Sequence, residues 1–221
     1  MSRYHRSVLA LVCASVLLPL SACEFEVGTT SPAGGSPDTG PSAGGDAPQT
    51  GSQDGPAGQT IDFNGLNVQL PASWKAVPDG NGGGRWHITT GGSCGSYGYL
   101  EADACRGWWL LGADDIAQGN EGSPYSPGRP YYPQTDSVPC PTDPETYQTT
   151  PQSPQAQGLV PVGDHRGDYR EWAITCISPA GGARTGGFVQ RLVYLPESRI
   201  LVVDNWQTPG LMNLLKNATW R

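Results

Sequence analysis

Apolar and polar residues alternate along much of the second half of the chain with the period of β-strands. Leu66, Val68 and Leu70 alternate with Asn67 and Gln69, which predicts a half-buried strand ended by Pro71 and continued by Trp74 to Val77. Arg85 to Thr90 and Trp108 to Gly112 predict two further short strands. The last third is the most regular. Asp168 to Ser178, Gly187 to Leu195 and Arg199 to Gln207 read as strands, and YLPESRIL sets a tight turn between the last two, predicting an antiparallel hairpin. Thr208 and Pro209 then suit the N-cap and first position of a helix over Gly210 to Ala218. Leu211, Leu214 and Leu215 fall on one face of it, for packing on the sheet.

Three stretches break this pattern. Residues 121–158 hold nine prolines and four tyrosines without a period, which predicts an insert that is either functional or disordered. Gly28 to Gln59 contains no aromatic residue and no aliphatic side chain larger than Ala, too little apolar surface to offset chain entropy. At the start, Arg3, His5 and Arg6 precede an apolar run of 13 residues from Val8 to Leu20, the pattern of a secretory signal peptide. Such a run is too short to span about 30 Å of hydrocarbon as a helix. Leu20-Ser21-Ala22-Cys23 resembles the bacterial lipobox, which implies cleavage before Cys23 and a diacylglycerol on its sulfur. Two acyl chains suffice for stable anchoring. The expected organisation is a lipoprotein signal peptide over residues 1–22, a flexible lipid-anchored linker over 23–59, and one extracytoplasmic domain over 60–221. The expected location is the outer face of the cell membrane.

Charge and cysteine usage agree with export. The formal net charge is −7, and it becomes −9 without the two arginines of the leader. No basic stripe is present, so nucleic acid is a poor partner. Beyond Cys13 in the leader and Cys23, the four remaining cysteines are Cys94, Cys105, Cys140 and Cys176. On an oxidising face of the membrane they predict two disulfides. Cys94–Cys105 with Cys140–Cys176 closes the shorter loops; a zinc site lacks any C-x-x-C spacing.

Candidate chemistry is sparse. Gly91-Gly92-Ser93-Cys94-Gly95 spells G-x-S-x-G after a strand-like segment, and His165 follows with Asp136 or Asp143 between, the order of an α/β-hydrolase triad. Against it, Ser96-Tyr97-Gly98-Tyr99 is a poor helix start and Cys94 is expected in a disulfide. His87 reads as a packed or surface strand residue, and Asp164-His165 as a polar turn. Arg166-Gly167-Asp168 matches the integrin tripeptide at a length where chance dominates. GNGGGR lacks the Lys-Ser/Thr of a phosphate loop. Glu101, Asp103, Asp114 and Asp115 lack the order of a calcium loop. Adjacent Trp108 and Trp109 must point to opposite faces of a strand. With Tyr97, Tyr99, Tyr125, Tyr131 and Tyr132 they offer either a stacking surface for sugar or peptide, or core filling, the commoner use.

NGLNVQLPASWKAVP and FVQRLVYLPESRILVVDNWQTPGLMNLLKNATWR resemble the opening hairpin and the closing hairpin, helix and final strand of the PsbP-like α/β sandwich of actinobacterial LpqN-type lipoproteins. The match covers roughly residues 60–78 and 186–221. It implies accessory or interaction roles rather than catalysis, and no functional residue carries over beyond Cys23. The sequence therefore predicts an α+β fold: a single antiparallel-sheet domain with a C-terminal helix, stapled by disulfides, on a disordered stalk. Its expected role is non-catalytic binding of wall glycan, lipid or an envelope protein, without a cofactor. An envelope hydrolase using Ser93 and His165 is the alternative.

Overall fold

The structure, a computed structural model, describes residues 57–79, 84–91, 105–133 and 136–221. All of them belong to one compact unit, Gly51–Arg221. Strands β1 (Ala57–Phe63) and β2 (Leu66–Pro71) form a hairpin across Asn64-Gly65, whose φ angles of 50° and 86° are those of a tight two-residue turn. With β12 (Thr219–Trp220) they make a three-stranded sheet of order β1-β2-β12.

A turn closed by the Trp74 N–H on the Pro71 carbonyl at 2.9 Å then sends the chain into a second, nine-stranded sheet. Its main path runs β3 (Lys75–Asp79), β4 (Arg85–Thr89), β5 (Gly107–Leu111), β11 (Ile200–Asp204), β10 (Arg184–Leu195), β9 (His165–Ile177), β7 (Asp143–Gln148) and β6 (Pro139–Cys140). Strand β8 (Ala156–Val162) pairs with the N-terminal half of β9, while β7 pairs with its C-terminal end. Every pairing between these strands is antiparallel. Helices are minor: α1 (Ala113–Ile116) and α2 (Leu211–Lys216) have four and six residues. Among the described residues, no helix is long and apolar enough to cross a membrane.

Both faces of the large sheet are covered. On one, Ile88, Trp108, Leu110, Val193, Ile200 and Val202 pack against Ile61, Leu66 and Val68 of the small sheet and Leu211 and Leu215 of α2. On the other, Trp109, Leu111, Trp172, Ile174, Leu192 and Val203 pack against Tyr125 and Tyr131 from the loop that follows α1. This double burial explains why β5 (GWWLL) and β11 (ILVVD) do not alternate: all five positions of each are buried.

The predicted strands, the 187–207 hairpin and the antiparallel class agree with the structure. Cys140–Cys176 is bonded, with an S–S distance of 2.02 Å. Cys105 is disulfide-bonded and buried, while Cys94, its expected partner, lies outside the described residues. Trp108 and Trp109 are both buried, the core-filling use, because β5 lies in mid-sheet between two packed layers. Three expectations change. First, the Trp74–Val77 stretch does not continue β2; the turn at Pro71 moves it to the other sheet as β3. Second, the proline-rich insert is largely built into the domain. Tyr125, Tyr131, Tyr132, Val138 and Cys140 are buried, and β6, β7 and the first three residues of β8 lie within residues 121–158. Third, the C-terminal helix starts later than expected, with Gly210 at φ 81° in the N-cap position. Thr208 serves Asp204 instead: its hydroxyl donates to Asp204 Oδ1 at 3.1 Å and its N–H to Oδ2 at 2.9 Å.

Candidate functional site

The β1–β2, β8–β9 and β10–β11 turns gather at one end of the domain. Gly163, at φ 60°, forms part of the β8–β9 turn; a Cβ there would sit 2.5 Å from the Ala218 carbonyl oxygen, so only glycine fits. Its N–H donates to the Leu215 carbonyl at 2.9 Å, docking the turn on the end of α2. The indole N–H of Trp220 donates to the Val162 carbonyl at 2.8 Å. That bond fixes the ring on which His165 stacks, with centroids 4.1 Å apart and planes 24° apart. The β10–β11 loop, Pro196 to Arg199, lies alongside. Asn64 of the first hairpin donates its side-chain amide to the Ser198 and Arg199 carbonyls, 3.4 Å each. The Arg221 N–H donates to the Gly65 carbonyl at 3.1 Å.

These turns enclose a cleft of about 300 Å³ lined by His165, Arg166, Leu195, Pro196, Glu197 and Ser198. Arg166 and Glu197 are exposed and form no ion pair among the described residues. The His165 side chain is 48% exposed, and the carboxylate it meets is Asp164, at 3.9 Å from Nε2. The cleft thus offers one fixed cation, one imidazole, one carboxylate and a serine around an apolar strip. That set suits hydrogen-bonded capture of a small charged group. Its volume lies at the small end of the range of about 300–1,000 Å³ usual for ligand sites.

The triad reading loses both of its candidate acids. His165 begins β9, and Cys176 lies eleven residues further along it, about 36 Å away at ~3.3 Å per residue. Asp143 pairs with Cys140, which is bonded to Cys176, so it sits at that far end. Asp136 sits there too: the Tyr132 hydroxyl donates to its carbonyl and accepts from the Val138 N–H, and the Val138 carbonyl accepts from Gln148 beside Cys176. Neither acid can orient His165. Ser93 lies outside the described residues, as do Cys23, Tyr97, Tyr99, Glu101 and Asp103.

The remaining candidates take structural places. His87 is buried and stacks on Trp109, with centroids 4.1 Å apart and planes 2° apart. Asp115 forms an ion pair with Arg85 across the β4–α1 contact, and Asp114 is exposed. No group of three metal-binding side chains occurs among the described residues. Arg166-Gly167-Asp168 is strand, not loop: Gly167 is buried under Val193, and Asp168 pairs with Arg170. With Tyr125, Tyr131 and Tyr132 buried, these rings offer no stacking platform.

Of the cleft's lining, His165 and Arg166 stand out in the sequence, Arg166 only as part of an integrin-like tripeptide. Glu197 and Ser198 belong to the β10–β11 turn and the supporting Trp220 to β12, and the visible signals are the turn residues themselves, Asn64-Gly65, Gly163-Asp164 and Pro196-Glu197. Comparison of the chain with protein-family models, with curated proteins and with solved structures finds no match in any of the three.

Proposed function

We propose that this protein is a lipid-anchored, non-catalytic binding domain at the outer face of the cell membrane, and that the cleft beside His165 and Arg166 takes a small carboxylate-bearing group of a wall glycan or its peptide. Residues 1–22 act as the signal peptide, Cys23 carries the lipid and the chain between it and β1 forms the tether. The buried Cys140–Cys176 disulfide is consistent with an oxidising compartment. The segments that resemble PsbP-like lipoproteins supply part of β1, β2, most of β3 and β10, β11, α2 and β12, so on this reading the domain is an elaborated PsbP-like sandwich.

The observation that carries the binding role is the position of the cleft. The tether enters at Ala57, and β1 runs seven residues, about 23 Å at ~3.3 Å each, to the Asn64-Gly65 turn that braces the cleft. The polar groups therefore converge at the end of the domain away from its attachment. Through this cleft Arg166 binds the ligand carboxylate, His165 and Ser198 share its oxygens, and Glu197 accepts from donors beside it.

Titration of the protein with soluble muropeptides, followed by amide chemical shifts, tests this reading. The expected perturbations are confined to residues 163–166 and 195–199, and Arg166→Ala weakens binding at least several-fold. Perturbations confined to another surface, or binding indifferent to Arg166→Ala, contradict it.

A further inference from the structure

Five strands have a side that no described strand pairs: β1 and β12 in the small sheet, and β3, β6 and β8 in the large one. Open edges present free N–H and C=O groups, and proteins blunt them by shortness, charge, bulges or proline. Here β6 and β12 are two residues long. Strand β1 has a bulge between Ala57 and Thr60 and carries Asp62, ion-paired with Arg221. Strand β3 carries Lys75 and Asp79.

Strand β8 lacks most of these defences. Its seven residues, AQGLVPV, contain no charge and lie within an uncharged run from Thr146 to Gly163. Leu159 on it is 62% exposed, the one exposed large hydrophobic side chain among the described residues. Next to it, a Cβ on Gly158 would meet nothing within 4 Å, so the backbone there is bare. Pro161 alone removes a donor, near the C-terminal end.

We propose that β8 is a self-docking edge, through which two copies of this chain pair antiparallel and join their nine-stranded sheets. A second copy is the favoured occupant because an antiparallel pair of identical strands sets each side chain against its own kind or a near neighbour. Like charges directly opposite would repel, and β8 has none. The two-fold operation uses the same edge twice and therefore closes at a dimer, while the charged β3 edge does not propagate it. Pro161 confines the ladder to the segment before it. So short a pairing falls below the about 1,200–2,000 Å² that a stable soluble complex buries. It becomes populated where copies are held at high effective concentration on one surface. The inference rests on the proposed membrane anchor, which palmitate labelling and membrane partition test separately, and not on the cleft or its ligand.

Cysteine crosslinking of the full chain in membranes tests it. Leu159→Cys under mild oxidation gives a disulfide-linked dimer in several-fold excess over Lys75→Cys on the opposite edge. Adding Gln157→Lys, which sets cations across the two-fold axis, returns the yield to that of Lys75→Cys. Both sites are exposed, so these variants keep the fold. A dimer yield at position 159 no higher than at 75, a yield unaffected by Gln157→Lys, or crosslinking of 159 to a different envelope chain overturns the proposal.

Discussion

Tyr125 shows how a residue prominent in the sequence can be structural. It packs edge-on against Tyr194 at 5.2 Å between ring centroids, and its buried hydroxyl has no hydrogen-bond partner among the described residues. Burial first, and the Asp168 carboxylate second, push its phenol well above the ordinary range. Tyr169 shifts the same way, through burial and then its hydrogen bond to Glu171. In both, the folded state holds the proton more tightly than the unfolded chain. The associated stability is thus present below the ordinary phenol value near 10 and is lost as pH rises from there toward the folded value. Ultraviolet titration should show two tyrosines that ionise after the others. Tyr125→Phe removes one of them, and because it deletes an unsatisfied buried hydroxyl it should leave stability unchanged or raise it by about 1 kcal/mol. A loss of stability in that variant would mean that the hydroxyl has a partner.

At the scale of elements, legibility followed locality. The β10–β11 hairpin was readable because its alternation and its turn lie within one short stretch. The insert was not, because Tyr125, Tyr131 and Val138 are buried by a sheet face built from strands far along the chain. One clue to that second face was present: the unbroken apolar runs GWWLL and ILVVD are what strands covered on both sides require. The start of α2 was misplaced because Thr208 has two possible partners, the helix N-terminus or the buried Asp204, and only the fold decides between them. The Cys140–Cys176 pairing was readable from loop length alone. It ties the β6–β7 hairpin to the end of β9 across a sequence separation of 36 residues. The paired substitution Cys140→Ala with Cys176→Ala should therefore lower stability by roughly 3–4 kcal/mol in denaturant unfolding. Hydrogen exchange should rise first in β6 and β7; uniform acceleration across β5 and β11 instead would show that the bond supports the whole core.

For the whole molecule, the proposed cleft and the proposed docking edge use different parts of the described domain: the cleft lies among the turns at 163–166 and 195–198, and β8 is an edge of the large sheet. Ligand capture and pairing are thus compatible in one protein. Both proposals place that protein on a membrane through Cys23. Metabolic labelling with palmitate, read together with membrane partition, tests that directly. The account predicts a labelled, membrane-bound wild type and a Cys23→Ser variant that takes up no label. An unlabelled wild type, or label that persists in Cys23→Ser, would contradict it.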